Sequence, residues 1–250
     1  MKKSNLEKIA KEYHLSAKLN DMHIENFNQN YYAKWLLKYT YNKKILEMGF
    51  GDGILTGHLS KSSSKIDLIE GSSLLANKAK KKFKKIKVIN TMFEEFFPKK
   101  NYDVILASHI LEHVDNPVKI LKKISTWMHK KSICIIHVPI RSSYHRQLAV
   151  IMKLQKKLDS LSKRDHIVGH KRVYSVNRMK LDLKKSGMHI KEIKGFFVKF
   201  LPNSMMINFS NKLLFALNKI AEKIDPSLCA NVSFVVMKKK FKKSIYNNSK

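Results

Sequence analysis

Four of the eight glycines in this 250-residue chain, Gly49, Gly51, Gly53 and Gly57, fall within nine positions. Average proteins carry about 7% glycine, more than twice this chain's share, so the cluster marks a place where side chains do not fit. A short apolar run, Lys44 to Met48, precedes it and a helix-forming run, Ile54 to Ser60, follows. A glycine-rich bend from strand into helix lets backbone approach a ligand closely and turns amide N–H groups toward it. That is chemistry for a nucleotide-type ligand. A carboxylate that suits the same ligand, Glu70, ends the second apolar run. From that position a carboxylate can accept from both hydroxyls of a ribose.

Proton-transfer candidates are His113, His145, His166 and His170, because imidazole exchanges a proton near neutral pH. All five arginines, Arg141, Arg146, Arg164, Arg172 and Arg178, lie between residues 141 and 178, whereas every other one of the 50 basic residues is lysine. Arginine kept where lysine prevails elsewhere points to a planar, bidentate donor fork. Arg141, Arg146, Arg164 and Arg172 are therefore candidates for holding an anionic substrate, with internal salt bridges as the competing role. No metal is assigned: Cys134 and Cys229 are isolated, no HExxH pattern occurs, and no acidic cluster has magnesium spacing.

The elements that must position these groups alternate from residue 43 onward. Strands are expected at 44–48, 65–70, 86–90, 102–107, 132–138, 189–200 and 231–237. Helices are expected at 53–60, 72–84, 117–129, 176–186 and 203–224. The third of these helices is announced by Asn116 or Asp115 as cap and Pro117 in its first turn. Short apolar strands alternating with helices predict a parallel sheet covered on both faces. Residues 1–40 read as an N-terminal helical segment containing Tyr31, Tyr32 and Trp35, and 41–240 as the main domain. Within it, 139–175 interrupts the alternation as a cap over the substrate, with a helical stretch at MKLQKKLDSL. Residues 241–250 form a basic tail.

Composition limits the partners. The formal charge of +31 draws the chain toward nucleic acid or anionic membrane, although a lysine excess spread over a solvated surface accounts for it better than a dedicated polyanion site. No apolar run approaches the ~18 residues a membrane span needs, and the N-terminus lacks the apolar core of a signal peptide. Two cysteines in apolar runs read as buried thiols of a reducing compartment. A cytoplasmic location is expected, and oligomeric state is not legible.

The segment Glu47-Met-Gly-Phe-Gly-Asp-Gly53 resembles the first motif of class I S-adenosylmethionine-dependent methyltransferases. It departs from the dinucleotide fingerprint, whose third glycine comes three residues after the second. Asp103 to Val114 (DVILASHILEHV) resembles the fourth-strand motif of the small-molecule members, and VPIRSSYHR (138–146) resembles a segment of some bacterial ones. The resemblance implies a Rossmann-like, seven-stranded, mostly parallel sheet with helices on both faces, N-terminal helices and a cap inserted after the fifth strand. It also implies S-adenosylmethionine as cofactor and S-adenosylhomocysteine as product. Carried over by position, Gly49, Gly51 and Gly53 form the turn under the methionine part. Glu47 orients that turn or receives the amino group, and Glu70 holds the ribose. Met92 or Phe93 flanks the adenine, with Glu94 or Glu95 accepting from its amino group. Ser108 and His109 lie beside the sulfonium. His113, His145 and His166 are the catalytic candidates, and Glu112 with His113 is the pairing that ligates a divalent ion in some relatives. Residues 107–110 (ASHI) lack the Asn-Pro-Pro-Tyr type of motif tied to nitrogen methylation, which favours oxygen as acceptor. The expected activity is O-methylation of a small anionic metabolite, phosphorylated or nucleotide-linked, such as a surface-glycan precursor. An RNA methyltransferase and a noncatalytic cofactor-binding regulator are the alternatives.

Overall fold

In a computed structural model, residues 3–14, 22–98 and 100–239 are described; the expected basic tail at 241–250 lies outside them. Seven strands form one sheet: β1 (Lys44–Met48), β2 (Lys65–Glu70), β3 (Lys87–Asn90), β4 (Tyr102–Ser108), β5 (Met128–Pro139), β6 (Met188–Phe196) and β7 (Asn231–Lys238). Their spatial order is β3-β2-β1-β4-β5-β7-β6. The first five run parallel, and β7 lies antiparallel between β5 and β6. The order therefore reverses between β1 and β4, and a crevice opens at such a switch point outside the carboxyl ends of the strands.

The helices are α1 (Lys3–Ile9), α2 (Met22–Thr40), α3 (Ile54–Ser62), α4 (Ser73–Lys82), α5 (Pro117–Trp127), α6 (Tyr144–Ile151), α7 (Lys163–Ile167), α8 (Val176–Lys185) and α9 (Asn211–Ala221). A π-helical turn, Ala10–His14, continues α1. Strand residues alternate between two buried faces, so both must be covered. Leu46, Ile105, Ile136 and Phe234 pack against Ile120 and Ile124 of α5 and Met179 and Leu183 of α8. Ile45, Leu106, Ile135 and Val235 point the other way, onto Tyr32 and Leu36 of α2 and Leu59 of α3. The α5 start is as expected: Asn116 accepts from the Lys119 amide at 3.0 Å, with Pro117 in the first turn.

Three expected elements are corrected. The helix expected over 203–224 is confined to Asn211–Ala221, because the Ser210 hydroxyl caps it by accepting from the Leu213 amide. Ahead of it, Asn203–Met205 forms only a 3₁₀ turn, and Met206 packs inward from a loop and mimics helical spacing. The strand expected to reach residue 200 stops at Phe196, since Phe197 takes φ +62°. The helical stretch expected at MKLQKKLDSL is turns: Met152 caps α6, Lys153 has φ +58°, and Leu154 is exposed.

Candidate active site

The crevice at the switch point is a cavity of about 470 Å³. Its floor is the carboxyl ends of the central strands: Glu47 and Met48 on β1, Glu70 on β2, Ser108 on β4, and His137 and Pro139 on β5. Leu6, Ile9, Ala10, Tyr13 and His14 roof one end; His145, Arg146, Arg164, Asp165 and His170 wall the other.

At the first end, Gly49 has φ +80°, and a Cβ there would lie 2.9 Å from Ile110 Cδ1. Gly53 has φ +76° and starts α3, but it lies outside the cavity wall, so its role is to make the turn. Three amides of the turn are engaged within the protein. The N–H groups of Gly49, Phe50 and Gly53 donate to Ile69 O, the Glu70 carboxylate and Phe50 O, respectively. At Gly49 the turn contributes close approach of backbone.

Glu70 accepts from the Phe50 amide at 2.8 Å and the Ser72 amide at 2.7 Å, which fixes its carboxylate at the end of β2. Burial nevertheless raises its pKa. Glu47 is buried, and its Oε2 has no hydrogen-bond partner among the described residues. Burial, only partly offset by the nearby Thr56 hydroxyl and reinforced by the charge of Glu70, pushes its pKa up to about 8. Met92, Phe93 and Glu94 line the cavity, and Glu95 does not.

At the floor, His109 takes φ +54°, and its amide donates to His137 O at 2.8 Å, which turns its ring into the cavity. Its Nδ1 lies 2.9 Å from Glu112 Oε1; burial disfavours the imidazolium, but this carboxylate wins and raises its pKa. Ser108 Oγ is 3.2 Å from the Tyr32 hydroxyl, and Tyr32 stacks on His137.

The remaining candidates divide. His113 and His145 line the cavity. Burial lowers His113 to about 4, and burial with Lys199 and Arg146 lowers His145 to about 3. Both rings are neutral at pH 7 but weak bases. His166 is exposed on α7 and does not line the cavity, because the helix turns it outward. His170 does line it, its Nδ1 held 2.7 Å from Asp165 Oδ1.

The arginines serve mainly the protein itself. Arg141 is outside the cavity, 3.6 Å from Asp159. Arg172, also outside, donates to the carbonyls of Leu111, Val114 and Asp115 and ties down the loop after β4. Arg178 pairs with Asp182. Arg146 is buried, 2.8 Å from Asp165. Arg164 pairs with Glu25 and donates to the Tyr13 hydroxyl, which itself donates to Glu25 at 2.9 Å. The two arginines at the cavity thus already face carboxylates.

Sequence reasoning missed the roof. Glu7 on α1 accepts from the Ser72 hydroxyl at 2.8 Å and the Ser73 amide at 2.6 Å, clamping the N-terminal segment onto the start of α4. His14 Nδ1 is 3.0 Å from Asp52 Oδ1. No motif marks these residues; they reach the site only through folding. Tyr32 reads from the sequence only as one of three aromatics in the N-terminal segment, and His137 is hidden in the apolar run of β5.

A family model described as a methyltransferase domain matches residues 23–192. No curated protein matches the chain. Among solved structures, a methyltransferase dependent on S-adenosylmethionine from Thermotoga maritima is similar, at 17% identity and TM-score 0.63 over 94% of this chain and 100% of that one. The CcbJ methyltransferase of Streptomyces caelestis is similar at 10% identity and TM-score 0.63, over 96% and 100% of the two chains. So is the plantazolicin methyltransferase BamL, solved with S-adenosylhomocysteine, at 15% identity and TM-score 0.56 over 95% and 97%. No helix among the described residues is long and apolar enough to cross a membrane.

Proposed function

Because the chain belongs to the methyltransferase-domain family and is an S-adenosylmethionine-dependent methyltransferase, we propose that it methylates a hydroxyl of a small molecule seated at the histidine-lined end of the cavity. The observation that carries this is the continuity of one roofed cavity from Glu47 and Glu70 to His113, His145 and His170.

The cofactor end fits its ligand: a buried carboxylate oxygen without a partner suits an ammonium, and the Gly49 turn leaves room that a Cβ would fill. Glu47 and Glu70 would hold the amino and ribose ends, with Met92 and Phe93 against the adenine. When bound, the cofactor supplies an electrophilic methyl: the acceptor oxygen forms the new C–O bond as the C–S bond breaks, and the electron pair stays on sulfur. The protein's task is then mainly alignment, with reacting atoms held about 3–3.5 Å apart. Ser108 and His109, at the end of β4, stand where the two halves of the cavity meet. His145, neutral at pH 7, would take the hydroxyl proton.

The anionic character expected of the acceptor finds little support. Arg141 and Arg172 face away from the cavity, and Arg146 and Arg164 are balanced by Asp165 and Glu25. The roof over the cavity also favours a small acceptor over a polymer, against the RNA alternative. Incubating the chain with S-adenosylmethionine and a panel of hydroxylated and amine-bearing small molecules should yield S-adenosylhomocysteine with a hydroxyl compound. Release confined to amines, or to RNA at physiological salt, would overturn the proposal.

A further inference from the structure

Glu112, His113 and His170 each offer one ligating atom, and these atoms all lie within 4.8 Å of one another. Each group is held from behind. His113 Nδ1 lies 3.3 Å from Gly169 O, and His170 Nδ1 lies 2.7 Å from Asp165 Oδ1. With both Nδ1 atoms engaged by acceptors, the Nε2 lone pairs are the ones left for a ligand. Glu112 Oε1 is held by His109 at 2.9 Å, and the residue is wholly buried. Its Oε2 nevertheless has no hydrogen-bond partner among the described residues. An unpartnered buried carboxylate oxygen is costly unless something cationic or donating meets it.

We propose that Glu112, His113 and His170 form a binding site for a divalent first-row transition-metal ion at the acceptor end of the cavity. Two imidazoles and one carboxylate, each oriented by a backbone carbonyl, a carboxylate or a histidine behind it, make a ligand set suited to zinc, cobalt or manganese. Calcium and magnesium prefer all-oxygen sets. Donors sharing one ion at about 2.1 Å stand roughly 3–4 Å apart, so the three close in by about an ångström on binding. Three protein ligands leave coordination positions open toward the cavity that His113 and His170 line. A hydroxyl entering an open position becomes more acidic, as metal-bound water does. This role rests on the oxygen-acceptor reading above; the ion site itself does not.

The test is titration of the tag-free full chain with Co²⁺ alone, followed by visible d–d absorption, and with Zn²⁺ by calorimetry. One equivalent should bind, and Glu112→Gln, His113→Gln and His170→Gln should each weaken binding at least tenfold. His189→Ala, an exposed histidine on β6, should leave it unchanged. S-adenosylhomocysteine binding, measured on every variant, reports an intact fold and a separate site. If a variant fails to fold, the other two carry the comparison. Absence of stoichiometric binding by wild type, or binding within twofold of wild type in the folded variants, overturns the metal site while leaving the methyltransferase reading intact. Loss of cofactor binding in wild type overturns the oxygen-acceptor reading instead.

Discussion

Replacing Glu47 with Gln tests whether the cofactor end is built around a carboxyl that is protonated before ligand arrives. In the folded protein this group titrates near pH 8, against 4.5 for an ordinary glutamate, mainly because it is desolvated. Between those values the unfolded chain binds fewer protons than the native one, so stability falls as pH rises. At about 1.4 kcal/mol per unit, the cost at pH 6 is roughly 2 kcal/mol, and at pH 9 it approaches 5 kcal/mol. Glutamine mimics the protonated form and has no such slope. The stability of Glu47→Gln relative to wild type should therefore grow by about 2–3 kcal/mol between pH 6 and pH 9. In urea unfolding that is a divergence of roughly 1 M between the two midpoints. Glu70 is coupled to Glu47, so part of the relief is its own return toward ordinary titration. Saturating S-adenosylhomocysteine should flatten the wild-type slope, as an ammonium against Oε2 keeps the carboxylate charged. Parallel pH profiles for the two proteins would show that Glu47 is ionised throughout and refute the reasoning.

Gly49→Ala combines a 2.9 Å clash with Ile110 and a strained positive φ. It should cost about 1–3 kcal/mol of stability and weaken S-adenosylhomocysteine binding, by thermal melt and calorimetry respectively. Arg146→Met leaves Asp165 buried without its guanidinium partner. It should destabilise the fold by about 3–5 kcal/mol in urea rather than selectively raise the KM of the acceptor. Glu7→Ala removes a carboxylate from the start of α4, where it accepts from Ser72 and Ser73. It should cost about 1 kcal/mol and loosen cofactor binding, read by calorimetry and by faster amide exchange at residues 72–74. RNA affinity, measured as a function of salt, should collapse by orders of magnitude between 50 and 200 mM, as expected for attraction by charge alone.

Most of the sheet was legible because its strands are short, apolar and bounded by turn residues. Ile66 to Glu70, buried on both faces, can be read from composition alone. The glycine turn was legible for a related reason: Gly49 is required by geometry, and few other residues could replace it. Failures cluster where tertiary packing overrides pattern. Met206 and Phe209 repeat at helical spacing, yet they reach the core from turns, and only Ser210 decides where α9 begins. The arginine cluster has an internal task. Arg146 and Arg172 tie loops to each other and to the end of β4, a task for which the guanidinium fork is equally suited. The histidines could be selected by type but not ranked. What separates His145 from His166 is which side of a short helix faces the cavity, and no local pattern encodes that.

The placement of β7 between β5 and β6 bears on how the molecule is made. During synthesis β6 emerges some forty residues ahead of β7, the only strand it pairs with among the described residues. Until residues 231–238 leave the ribosome, the nascent sheet ends at β5, with an open hydrogen-bonding edge and its Ile135 and Ile136 faces only partly covered. The final strand is thus a keystone, and acquisition of the native sheet waits for almost the whole described chain.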